Sequence, residues 1–216
     1  TYWRSVFAPL ARRLDAYVVA GSHLRLAPDG DLTNASYLFA PDGRLVATTD
    51  KVNLVAGRED MAPGALGLAR GDLDRLPIVE TPFGRVCTLI CYDGFRVPHT
   101  KSERFVPVAP RIAARGAVAI AANPSASHWR WREPWLHDVS MTREVQWSRE
   151  GLPASLAEIA FARIGITAHL VGQVLDLTFE GQSEILERTP TGVTTLARAP
   201  TADRGGHVVA VIESQN

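Results

Sequence analysis

Three segments of this chain repeat one local pattern: a short β-rich run, a turn containing Pro or Gly, and a second β-rich run. They are SYLFAPDGRLVATTD (36–50), PIVETPFGRVCTLICYD (77–93) and SEILERTPTGVTTLAR (183–198). Turns of this kind join antiparallel neighbours, so the three segments predict three hairpins. The apolar runs AYVVAGSHLRL (16–26) and AVAIAAN (117–123) read as buried strands, and HVVAVIE (207–213) is strand-like. At the start, Trp3, Val6, Phe7, Leu10 and Leu14 recur at three- and four-residue spacing, which predicts an amphipathic helix. Pro134 and Pro153, each suited to a first helical position, predict one helix from Pro134 toward Arg149 and another from Pro153 through Leu156, Ile159 and Ala160. Hairpins mixed with helices imply a single layered α/β domain over 1–216 with a mixed sheet. Their alternation is too irregular for a Rossmann unit or a β/α barrel.

Composition narrows the partners. The chain balances 23 basic against 23 acidic residues and has no basic run, which argues against nucleic acid. No stretch reaches the roughly 18 apolar residues of a spanning helix, and TYWRSVFAPLARRLD lacks the layout of a signal peptide, so the expectation is no membrane and a cytoplasmic location. Neither GxGxxG nor GxxxxGK[ST] occurs, so nucleotide binding has no support. The two cysteines, Cys87 and Cys91, are four residues apart. Along a strand that is about 13 Å, against the roughly 7 Å between Cα atoms that a disulfide tolerates. A reducing compartment is therefore expected, with Cys87 as a core residue on the same sheet face. The six His are scattered without ligand spacing, so no metal site and no cofactor are expected.

Cys91 follows the apolar run 86–90 and precedes Tyr92, Asp93 and Gly94. Taken alone it reads as an inert buried thiol, but a side chain at the carboxyl end of a strand is both fixed and accessible. Only two of the 23 basic residues are Lys, Lys51 and Lys101. In a chain that uses Arg almost everywhere, a retained Lys points to work needing a compact ammonium ion or an amine that can lose its proton. Lys101, in a polar loop, reads as ordinary surface. Lys51 opens DKVNLVAGREDMAPG, with Glu59 eight residues later.

Together, DKVNLVAGRED and GRVCTLICYDGFRVP resemble the Lys and nucleophile segments of the nitrilase superfamily of carbon-nitrogen hydrolases. RGAVAIAANPSASHW and EGQSEILERTPTG resemble later segments of the same family, in family order, from about Tyr17 to the C-terminus. The resemblance implies an α-β-β-α sandwich with mixed sheets, whose two-fold association stacks the sheets of two subunits in a homodimer or larger homo-oligomer. It implies Cys91 as nucleophile, Lys51 as catalytic ammonium, and Glu59 as a second glutamate positioning Lys51 or the substrate. A thiolate attacking an amide or nitrile carbon creates a negative tetrahedral species, for which Lys51 and the Tyr92 backbone N–H are the candidate stabilisers.

The family triad is Glu, Lys, Cys, with its glutamate on a strand ahead of the opening helix. No Glu precedes Glu59 here, so the resemblance implies an N-terminally incomplete domain as given. It implies cleavage of a small-molecule amide or nitrile, with acyl transfer or a silent binding subunit as alternatives; a Cys-His protease is disfavoured because no His pairs recognisably with Cys91. His128, Trp129, Trp131 and Trp135 crowd one loop and read as pocket lining, packing or a subunit contact. Asn123, ending its strand, either lines the site or caps the turn. Glu144, His137 and Asp138 read as solvated or structural residues on a helix, and His169 and His207 as satisfied core or edge residues.

Overall fold

The computed structural model describes residues 2–213. Helix α1 (Tyr2–Leu14) leads into β1 (Val18–Leu26), β2 (Leu32–Phe39) and β3 (Leu45–Asp50), an antiparallel three-stranded sheet in the order β1-β2-β3. Then come β4 (Ile78–Thr81), β5 (Gly84–Thr88), α2 (Ala109–Ala114), β6 (Val118–Ala126), β7 (Pro134–Trp135), β8 (Asp138–Thr142), α3 (Arg143–Glu150) and α4 (Leu152–Glu158). The last elements are β9 (Ala162–Leu170), β10 (Gly172–Val174), β11 (Leu177–Phe179), β12 (Glu184–Thr189) and β13 (Gly192–Arg198). The main sheet has six strands in the order β13-β12-β9-β6-β5-β4. Its middle pairs, β5 with β6 and β6 with β9, are parallel, whereas the outer pairs are antiparallel hairpins or returns.

Helix α1 covers the outer face of the small sheet. Ala8 and Ala11 pack with Ala20, Ala35, Tyr37 and Phe39, and the Trp3 ring stacks on Tyr37 at 3.8 Å. Side chains alternate along a strand, so Ser36 and Leu38 bury on the opposite face, and β1 lies against β6 of the large sheet. The far face of the large sheet carries Cys87, Leu89, Ala121 and Leu186 against Val108 and Ile112 of the α2 region and Leu152 and Leu156 of α4. The result is a mixed α/β sandwich with layers helix, sheet, sheet, helix.

All three predicted hairpins form, because their register is set by turn chemistry a few residues away. Four expectations are corrected. First, β1 is not continuously buried: beyond Ala20 it alternates between half-buried and exposed residues, after a bulge at Gly21 (φ 59°). Second, Pro134 opens a two-residue strand of a hairpin rather than a helix, so His137 and Asp138 lie between strands or at a strand start. A proline without N–H is equally at home on such an edge. Helix α3 begins only at Arg143, capped by Thr142 Oγ1, which accepts from Val145 N at 3.3 Å. Third, 207–213 forms no strand; Val209 and Val211 stand exposed with no pairing partner among the described residues, and His207 is exposed as well. Fourth, β5 ends at Thr88, and Cys91 leaves the face of Cys87 in a 3-10 turn, Cys91–Gly94.

Candidate active site

The carboxyl ends of the parallel strands β5 and β6 open onto a cavity of about 380 Å3, the place where open α/β sheets present loops to ligands. Cys91, Lys51, Glu59, Tyr92 and Trp129 all line it. Cys91 takes φ 49°, a left-handed backbone that L-residues avoid at a cost of about 1 kcal/mol, and is partly exposed. Among the described residues its sulfur has one hydrogen-bond partner, the Ala126 carbonyl at 3.8 Å.

Two buried side chains hold this turn. Asn123, at the end of β6, donates through Nδ2 to the carbonyls of Leu89 (2.7 Å) and Cys91 (3.1 Å), while its Oδ1 accepts from Ser125 Oγ at 3.1 Å. It therefore stands behind the turn, outside the cavity lining. Asp93, a buried residue to which the sequence assigns no role, accepts from the backbone N–H groups of Asn53 (2.7 Å), Val52 (3.2 Å) and Ile90 (3.3 Å). One carboxylate thus ties the segment carrying Lys51 to the segment carrying Cys91, across 41 residues of chain. Burial pushes the Asp93 carboxyl up to about 6, against the opposing pull of Lys51 and the three N–H donors.

Lys51 is 2% exposed and forms an ion pair with Glu59. Burial by itself would lower its pKa, but Glu59, the Cys91 sulfur and Asp93 outweigh that effect and hold the ammonium above the ordinary lysine value. Glu59 also accepts from Val55 N at 2.8 Å and from Asn34 Nδ2 at 3.3 Å, so its carboxylate is fixed from three sides. It is the only carboxylate lining the cavity among the described residues. Lys101, by contrast, is exposed.

The aromatic loop divides. Trp129 and His128 line the cavity, whereas Trp131 and Trp135 are buried behind it. Tyr92 lines the cavity, and its hydroxyl donates to Glu103 Oε2 at 2.7 Å and accepts from His99 N. His99 and Arg143 are among the lining residues that carried no sequence signal. His99 stacks on Tyr92 at 3.9 Å, and burial, with Arg143 nearby, lowers its pKa to about 2, so the ring is neutral. Arg143, 1% exposed, lies under Trp129 and Trp135. His169 is not a satisfied core residue: it is wedged against Trp131 and Trp147, and neither ring nitrogen has a hydrogen-bond partner among the described residues.

Cys87 is the converse of Cys91. It is fully enclosed in the core, both thiols are free, and burial pushes the Cys87 thiol up to about 12. Groups of three or more His, Cys, Asp or Glu able to hold a metal ion are absent among the described residues, and no described helix is long and apolar enough to cross a membrane.

Comparison with known proteins agrees with this architecture. The NitN amidase from Neterenkonia sp. AN1 superposes with a TM-score of 0.68 over 97% of this chain and 68% of that one, at 21% identity. A glutamate variant of the amidase from Nesterenkonia sp. AN1, which shows Michael addition of acrylamide at the active site cysteine, gives 0.67 at 21% identity over 97% and 68%. A cysteine-to-serine variant of the Nesterenkonia AN1 amidase from the nitrilase superfamily gives 0.67 at 21% identity over 97% and 67%. No curated protein matches the chain. Residues 5–146, which include Lys51, Glu59, Cys91 and Asp93, match the family model for carbon-nitrogen hydrolases, and the chain belongs to that family.

Proposed function

We propose that this chain hydrolyses the carbon-nitrogen bond of a small amide through a thioester on Cys91. The observation that carries the reading is the convergence of Cys91 and the buried Lys51–Glu59 pair on one cavity. The Cys91 sulfur attacks the amide carbon, and the oxygen gains negative charge. Lys51 and the backbone N–H of Tyr92 neutralise that charge, the role in which fixed donors contribute most. The C–N bond then breaks, and the thiol proton leaves with the nitrogen as ammonia, relayed by Glu59 and Lys51. Water adds to the thioester and releases the acid, restoring the thiol. Cys91 is placed for attack by its left-handed turn and by Asn123 and Asp93, which act as positioning residues.

The amidase with acrylamide on its active site cysteine supports this reading by structural likeness. The test is ammonia release from short aliphatic amides, with intact mass measured after rapid acid quench. An acyl adduct mapped to Cys91, lost in Cys91→Ala, is expected. Turnover surviving Cys91→Ala would overturn the proposal. Acyl adducts that react only with added amine would shift it to acyl transfer, and turnover of nitriles alone would shift it to nitrile hydrolysis.

A further inference from the structure

The hydrolysis just described leaves one buried charge without work. Arg143 opens α3, is 1% exposed and faces the Cys91 cavity. Its Nε donates to Ser127 Oγ at 3.3 Å and its Nη1 to the Gln146 side-chain oxygen. Among the described residues Nη2 has no acceptor and no carboxylate forms an ion pair with the guanidinium. Glu150 acts on it only from farther away, its carboxylate accepting from Gln146 Nε2 at 2.7 Å. The guanidinium carbon lies 4.2 Å from the Trp135 ring centre, 4.9 Å from Trp129, 5.2 Å from Trp147 and 5.6 Å from Phe95. Ring faces attract the cation and fix its orientation, but they supply no lone pair for Nη2. Burial pulls the group down to about 10, which still leaves it charged at neutral pH.

The charges around the cavity sharpen the point. Lys51 is matched by Glu59, whereas Arg143 and the rim residue Arg58 have no carboxylate among the lining residues. A buried guanidinium with free donors is poorly tolerated unless an anion completes it, and its planar fork suits a carboxylate. We propose that Arg143 binds a carboxylate carried by the substrate, making the preferred substrate a short amido acid with its carboxylate on Arg143 and its amide carbon at Cys91. This rests on Cys91 being the nucleophile. Two other uses of the cation make different predictions: holding the loop together through the rings, or stabilising the Cys91 thiolate.

The experiment compares alkylation of Cys91 by iodoacetate, which carries a carboxylate, and by iodoacetamide, its neutral analogue. Each rate is divided by the rate of glutathione with the same reagent. For the wild-type chain the acceleration should be at least about tenfold greater for iodoacetate and should saturate with reagent, as expected for a bound anion. Arg143→Gln should erase that difference while leaving the iodoacetamide rate within about twofold, and Arg143→Lys should keep part of it. Equal acceleration of both reagents in the wild type overturns the inference alone. So does an Arg143→Gln variant that slows both reagents in parallel, the mark of a thiolate or packing role. Iodoacetamide reacting no faster than with glutathione overturns the nucleophile reading as well. A second measurement needs no variant: kcat/KM for succinamate should exceed that for succinamide by at least about tenfold, and a ratio near one refutes the carboxylate site.

Discussion

Replacing Asn123 by Ala should destabilise the protein by about 3 kcal/mol and slow Cys91 chemistry without removing any group from the cavity wall. The side chain is 1% exposed and donates to two carbonyls, Leu89 at 2.7 Å and Cys91 at 3.1 Å. Leaving a buried acceptor without its donor costs about 1–3 kcal/mol; Leu89 is fully enclosed and takes the upper part of that range, while the Cys91 carbonyl lies nearer water and takes the lower. Some of the loss returns as Cys91 relaxes from φ 49°, whose strain is about 1 kcal/mol. A net loss of about 3 kcal/mol corresponds to a fall in Tm of about 6–12 °C for a domain of this size. Urea unfolding followed by tryptophan fluorescence would measure it, with an unchanged m-value showing that the end states are the same. Asn123→Asp makes the reasoning sharper. It preserves shape but turns a donor into an anion facing two carbonyls, so it should be worse than Ala at pH 7 and recover toward pH 4, where the protonated carboxyl can donate again. If Asn123→Ala unfolds within about 0.5 kcal/mol of wild type and yet loses turnover, Asn123 touches substrate and the clamp argument is wrong.

Other consequences follow from the same geometry. Lys51→Met should lower kcat by about 10²–10³-fold with a smaller change in KM, because its charge is aimed at the developing oxyanion; an effect confined to KM would place Lys51 in ground-state binding. Asp93 has its carboxyl raised from 3.8 to about 6 by burial, so the folded chain holds that proton more tightly than the unfolded one. The group's contribution is therefore stabilising at acid pH and is lost as pH rises through 6, by roughly 3 kcal/mol in all, so wild type should lose stability relative to Asp93→Asn between pH 4 and 7. Parallel pH-stability curves for the two proteins would refute the shift. Gly165→Ala would place a Cβ 2.5 Å from Leu156 Cδ1 and 3.1 Å from Leu152 Cδ2, both in fully buried side chains, and should cost about 1–3 kcal/mol by urea unfolding without changing the Cys91 alkylation rate. Cys87, enclosed and raised to about 12, should resist iodoacetamide until the chain unfolds.

How much of this was legible in the chain depends on how far apart the deciding residues stand. The turns Pro41-Asp42-Gly43, 81–84 and 189–192 specify their hairpins within a few residues, and the spacing of Trp3, Phe7 and Leu10 specifies α1; each was readable because its cause is local. Lys51, Glu59 and Cys91 were readable as segments resembling a family. Pro134 shows the limit: its ring fits a helix start and a strand edge equally well, and only the pairing of Pro134 with Thr142 chose between them. The apolar run at 207–213 shows it again, since β-rich residues make a strand only where another strand offers partners.

The sequence by itself determined the local grammar of hairpins and helices, the scarcity of lysine that singled out Lys51, and the family. What only tertiary structure decided was how that grammar becomes a site. Asp93 reaches back 41 residues to bring Lys51 beside Cys91, Asn123 spends its amide behind the nucleophile turn, and a helix cap at Thr142 buries Arg143 under two tryptophans at the cavity. The physical reason is one of range. Turn and period preferences act through neighbouring dihedral angles, whereas the value of a buried charge depends on the groups that packing brings around it.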